Sequence, residues 1–180
     1  NFAGNNSNKG YIPNTDTILN TMGVKKQSYT LETWVKPSNA DSGSYIVIKG
    51  QNSWGNGNIE YGISSELSGG KLYAGFEILD GTNWPSVGGS GISTSTMPVN
   101  TWTHVVGVRD AEKQTLRLYV NGVLVDEQAD TTTDTTANTE SLQFGNRPGS
   151  DTPFAGALDD VKLYDYARSP SQIIEDMNGG

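Results

Sequence analysis

Cysteine is absent from the 180 residues, which excludes disulfides, thiolate metal centres and cysteine nucleophiles together. Histidine is nearly absent. His104 stands alone, so zinc sites of ordinary ligand type are excluded and a Ser-His-Asp triad would have to be built on it. No Gly-x-Ser-x-Gly elbow supports such a triad, and Gly89-Ser90-Gly91 lacks the spacing. Basic residues are scarce as well. Twelve Lys and Arg against 20 Asp and Glu give a net charge of -8 and a sequence pI near 4.5, which argues against nucleic-acid or anionic-membrane partners. No apolar run is long enough to cross a bilayer, so no membrane insertion is expected. Asn1-Phe2-Ala3-Gly4 carries no basic-then-apolar leader. Export is expected to be encoded upstream, with residues 1–180 forming one module of a longer extracellular, secreted or cell-surface protein, fused to neighbouring domains and monomeric.

What is present is strand and turn. Only 34% of residues are hydrophobic while Gly numbers 22, a mix that suits many short strands joined by tight turns. The stretch from Leu116 to Glu127 alternates on either side of Asn121-Gly122, the strongest short-range hairpin signal in the chain. A two-residue loop there pairs Val120 with Val123 and Leu118 with Val125, placing all four on one buried face, with Arg117 opposite Asp126 on the wet face. Further strands are expected at Tyr29–Pro37, Tyr45–Lys49, Ile59–Ser64, Lys71–Leu79, Ser141–Gly145 and Ala155–Asp165. The Gly50–Asn58 stretch and the segment through Trp84 and Gly91 read as long loops, and the Thr-rich acidic tract Asp130–Glu140 as an exposed connection. One short helix is expected after Ser169, where Ser caps, Pro170 enters the first turn and Gln172 closes a capping box.

Four blocks carry a family likeness: Tyr29-Thr-Leu-Glu-Thr-Trp-Val-Lys-Pro37, Thr101-Trp-Thr-His-Val-Val-Gly107, Leu118-Tyr-Val-Asn-Gly-Val-Leu124 and Phe154-Ala-Gly-Ala-Leu-Asp-Asp-Val-Lys-Leu-Tyr-Asp165. In order and spacing they resemble the laminin-G-like and pentraxin-like domains of the concanavalin-A-like jelly rolls. The resemblance implies an all-β, two-sheet antiparallel sandwich with one short C-terminal helix. It also implies a structural calcium ion at Asp159 and Asp160, bridging to the opening segment through Asn1, Gly4 or Asn5. Calcium is a hard cation that takes six or more oxygens, and an adjacent acid pair near a Gly-Asn loop supplies several. The competing reading makes the two acids solvated turn residues. Asn1 departs from the acid common at that position in the family.

This sandwich hosts lectins, adhesion modules, carbohydrate-binding modules and some glycosidases, so the site decides function. Trp34 and Trp102 lie in shared strand blocks and read as packing, Trp102 with the inward parity of His104, Val106 and Val108. Trp34 shares parity with Glu32 and Lys36, leaving its face open. His104 reads as a hydrogen-bonded structural histidine. Trp54 and Trp84 lie in Gly/Asn-rich loops outside those blocks, where an indole either stacks on a sugar ring or lids a loop. Asn58 and Asn83 are polar partners close in sequence. Glu60, Glu77, Arg109 and Arg147 are expected on outward-facing positions, lining a groove or simply solvated, with the arginines suited to an acidic sugar. The laminarinase-like enzymes of this fold carry Glu-x-Asp-x-Glu, and no such run occurs here. The sequence therefore points to a noncatalytic, calcium-stabilised module that holds an attached enzyme or surface protein on a polysaccharide or other glycan. An adhesion module, and less readily a glycosidase, are the alternatives.

Overall fold

A computed structural model describes residues 2–3, 10–15, 22, 27–40, 43–51, 58–146 and 153–179. Their strands build two antiparallel sheets packed face to face. One sheet runs in the order β1 (Phe2–Ala3), β13 (Ala155–Tyr164), β3 (Tyr29–Pro37), β9 (Thr103–Asp110), β10 (Thr115–Val120), β11 (Val123–Ala129). The other runs β2 (Gly10–Ile12), β12 (Leu142–Phe144), β4 (Ser44–Gly50), β5 (Asn58–Ser68), β6 (Lys71–Asp80), β7 (Ser86–Gly88), with β8 (Thr96–Met97) paired to β6. This is the jelly-roll sandwich the four sequence blocks imply. Among the described residues the one α-helix, α1 (Pro170–Gly179), follows the last strand. It opens on the expected capping box: Ser169 Oγ accepts the Gln172 amide at 3.3 Å while Gln172 Oε1 accepts the Ser169 amide at 2.9 Å.

Alternate residues of each inner strand fill the space between the sheets. Tyr29, Leu31, Val35 and Val105 from one sheet meet Tyr61, Ile63, Phe76 and Val87 from the other, all buried. Phe76 lies where the opposing sheet has Gly107, and a Cβ there would land inside the Phe76 ring. Gly107→Ala is therefore expected to cost about 1–3 kcal/mol through overpacking. A denaturation midpoint equal to the parent's would contradict that close approach.

The hairpin forms at Asn121-Gly122, whose φ values of 50° and 76° give the left-handed pair that a type I′ turn requires. Its register corrects the sequence expectation. Val120 does pair with Val123, but a bulge after Leu118 sets Leu118 opposite Asp126 and Arg117 opposite Glu127. Leu118 and Val120 reach the core and Val125 packs against it, whereas Val123 stands 63% exposed at the hairpin tip. Arg117 is not on the wet face. It is buried, with Nη2 2.8 Å from Asp110 Oδ2.

The face carrying His104, Val106 and Val108 also differs from the expectation. It is the outer side of its sheet, and Val106 and Val108 are buried there with Tyr119 because Ile173 of α1 covers them. His104, as a structural histidine, contacts Glu32 Oε1 through Nε2 at 3.0 Å. Trp34 shares that outer face, its ring centroid 5.1 Å from that of His104, and Trp102 is not in the core but 40% exposed, with Lys36 Nζ 6.0 Å from its ring.

Candidate functional site

The outer face of the seven-stranded sheet is hollowed into an open groove of about 440 Å³ across β4, β5, β6 and β7. Strand parity explains it. Phe76 and Ile63 point into the core, so Gly75, Glu77 and Ser64 point away from it, and Ser64 pairs with Gly75 while Gly62 pairs with Glu77. Small residues thus alternate with acids along two adjacent strands. A side chain on Gly75 would rise into the groove, its Cβ 2.9 Å from Ser64 Oγ. Tyr45 of β4 forms part of the floor and Gly88 of β7 the rim.

Trp84 forms one wall. The turn after β6 holds it in place through Asp80, whose carboxylate accepts the backbone N–H groups of Thr82 (3.0 Å), Asn83 (2.6 Å), Thr133 (2.7 Å) and Asp134 (3.1 Å). Partial burial pushes the Asp80 carboxyl up, but these amides outweigh it and hold the group well below the usual carboxylate range. The turn is closed again by Ile78 N–H donating to Pro85 O at 3.3 Å. Trp84 Nε1–H then donates to Glu77 Oε2 at 2.5 Å, so the indole is fixed by its edge while the residue stays 43% exposed. A rigid, edge-anchored aromatic face beside a groove of polar groups is the arrangement that sugar rings stack on.

Opposite, Glu66 accepts the Ser90 hydroxyl at 2.5 Å and the Ser90 amide at 2.8 Å. Those two bonds outweigh its slight desolvation and hold the carboxyl below the usual range, so it is ionised at neutral pH. From the edge of the facing sheet, Asp126 Oδ2 accepts the Gly88 amide at 2.9 Å.

Of the residues expected to meet a ligand, Trp84 and Glu77 come together in this groove. Asn83 lies in the adjoining turn, with Nδ2 donating to Asp80 Oδ2 (3.2 Å) and Thr133 Oγ1 (3.1 Å). Asn58 begins β5, with its carbonyl accepting the Gln51 amide at 3.0 Å. Glu60 and Arg109 are corrections, because neither is outward-facing. Glu60 is fully buried with Oε2 2.9 Å from Lys49 Nζ, and Arg109 is buried with Nε 2.7 Å from Asp130 Oδ2 and Nη2 2.8 Å from Thr132 Oγ1. The tract Asp130–Glu140 explains both. Far from being a mere exposed connection, it seals one end of the sandwich: Asp130 caps Arg109, Thr136 is buried, and Asn138 accepts two bonds from Lys49. Trp54 and Arg147 lie outside the described residues.

Asp159 and Asp160 sit on the other sheet, both exposed, at a bulge in β13 where Asp160 has φ 52°. Asp159 Oδ1 accepts the Asp160 amide at 2.9 Å, and Asp160 Oδ2 lies 3.0 Å from Lys162 Nζ. As a calcium centre the described donors fit only in part, since an ammonium already neutralises one of the two acids. Among the described residues no three acidic or histidine side chains are grouped to hold a metal. Asn1, Gly4 and Asn5 lie outside the described residues.

Glu66, Ser64, Tyr45, Gly75 and Gly88 were not anticipated from sequence. The signal that marks them is the pair Ser64-x-Glu66 and Gly75-x-Glu77, two outward small-plus-acid alternations on neighbouring strands.

Among curated proteins none matches this chain. Solved structures do. Domain 4 of the extracellular arabinanase AbnA from Geobacillus stearothermophilus, in complex with arabinotriose, is 21% identical with a TM-score of 0.64, covering 92% of this chain and 70% of that one. The CBM40 of the Ruminococcus gnavus IT-sialidase, bound to alpha2,3 sialyllactose, is 16% identical with a TM-score of 0.72, covering 98% and 94%. A heptameric SAP-like pentraxin from Limulus polyphemus is 16% identical with a TM-score of 0.62, covering 92% and 79%. At these identities the likeness is one of fold. The family profile described as the concanavalin A-like lectin/glucanases superfamily, of laminin-G type, matches residues 6–174, and the chain belongs to that family.

Proposed function

We propose that this domain is a noncatalytic carbohydrate-binding module that takes a glycan in the groove of the seven-stranded sheet, with Trp84 as its stacking platform. The observation that carries the reading is the edge-anchored indole of Trp84, held by Glu77 and exposed along a 440 Å³ groove on a rigid sheet. Support comes from solved structures of similar fold in complex with arabinotriose and with sialyllactose. The buried Glu60–Lys49 pair supports binding over hydrolysis, because it removes Glu60 as a partner for Glu77 in a two-carboxylate mechanism. In this reading the module is extracellular and holds an attached enzyme or surface protein on its polysaccharide. Calorimetry of the domain against a panel of plant, microbial and host glycans tests it: saturable binding to at least one is expected, and heat from none would sink the proposal.

A calcium staple is the second part of the reading. β1 pairs with β13 at Gly156 and Ala155, which sets Phe2 and Ala3 beside the strand that carries Asp159 and Asp160. Millimolar calcium is then expected to raise the melting temperature, with a chelator reversing the rise. A melting curve indifferent to both would leave the two acids as turn residues, with Asp160 paired to Lys162.

A further inference from the structure

We infer that the groove selects neutral glycans and turns away those carrying carboxylates, a conclusion that rests on the glycan-binding reading above. Its described lining contains two carboxylates, Glu66 and Glu77, and no lysine or arginine. A third, Asp126, reaches the rim. Of the two cations on the strands that build it, Lys49 is spent on buried Glu60, and Lys71, exposed at the start of β6, lies outside the lining.

Backbone amides are the other means of holding an anion, and those of the β7 turn are engaged within the protein, two of them by its own acids. Gly88 and Gly89 have φ values of 85° and 79°, the left-handed backbone that turns successive amides toward one side. Yet the Gly88 amide donates to Asp126, the Gly89 amide to Ala74 O at 2.8 Å, and the Ser90 amide to Glu66. A sugar carboxylate entering this groove would meet like charges and find these three amides already engaged. A sugar hydroxyl would instead meet carboxylate oxygens able to accept further hydrogen bonds, which are stronger when the acceptor is charged. The ligand expected is thus an uncharged chain rich in hydroxyl donors, with one ring stacked on Trp84.

The test uses a matched pair. Whichever neutral oligosaccharide binds most tightly in a calorimetric panel is oxidised at its primary hydroxyls to the uronate, and both forms are titrated at physiological ionic strength. The same panel includes polygalacturonate, alginate and sialyllactose. At least tenfold weaker binding of the oxidised form is expected, with the acidic glycans below the best neutral one. Glu66→Gln with Glu77→Gln, which leaves Trp84 an amide oxygen to donate to, is expected to narrow the gap at unchanged melting temperature. Equal affinity for the two forms, or an acidic glycan as the tightest ligand, overturns the selection while leaving glycan binding standing. Binding of no glycan of either kind overturns the underlying reading and this inference with it.

Discussion

Lys49→Met is expected to lower stability by about 3–5 kcal/mol, the cost of leaving a buried carboxylate without its partner. At roughly 2–4 °C per kcal/mol for a domain of this size, the melting temperature falls by about 6–20 °C. Lys49 and Glu60 are both 0% exposed with their charges 2.9 Å apart. Lys49 Nζ also donates to Asn138 O at 3.0 Å and Asn138 Oδ1 at 3.3 Å, so the same change unpins the tract that seals this end of the core. The adjoining buried groups belong to one assembly: Tyr29 Oη donates to Glu60 O at 2.6 Å, and the Arg109 guanidinium lies 6.0 Å from the Tyr29 ring. The double variant Lys49→Met, Glu60→Leu removes both charges together and is expected to recover most of the loss, as buried ion pairs replaced by apolar groups of similar volume commonly do. A single variant as stable as the parent in chemical denaturation would show that water reaches the pair.

Trp84→Ala is expected to weaken glycan binding by at least about 30-fold, the scale of an aromatic hot spot of 2 kcal/mol or more. The melting temperature should move by no more than a few degrees, because Trp84 lies on the outer face and its turn is held by Asp80 rather than by the indole. Trp84→Phe separates the two contributions. It keeps a ring to stack on but loses the Nε1–H bond to Glu77, so an intermediate affinity is expected. Parent-like affinity in the alanine variant, measured on a sample shown to be folded, would place the ligand elsewhere.

The contrast between these two residues shows what could be read from sequence. Glu60 and Trp84 are both sequence candidates for ligand contact, and only Trp84 lines the groove. Local signals succeed where the cause is local: the Asn121-Gly122 turn, the Ser169 capping box, the alternation in β3. Parity failed at β9 because alternation separates two faces without saying which is covered. The side with Val106 and Val108 is buried by a helix more than sixty residues later in the chain. It failed again past Leu118 and past Ile59, where bulges reset the register. Arg109 and Glu60 looked solvated because their partners come from elsewhere in the chain, Asp130 from the closing tract and Lys49 from the neighbouring strand β4. The groove itself exists only through cross-strand neighbours, Ser64 beside Gly75 and Gly62 beside Glu77, which no linear spacing displays.

The central claim, that a glycan lies in the groove of the seven-stranded sheet, is tested most directly by nuclear magnetic resonance titration of the labelled domain with its tightest-binding oligosaccharide. Shifts are predicted at the Trp84 indole N–H and at the amides of Ser64, Gly75 and Gly88, and Gly75→Leu should abolish them by filling the groove floor. Shifts gathered instead around Trp34 and Trp102 on the opposite sheet, with the groove signals unmoved, would contradict the account.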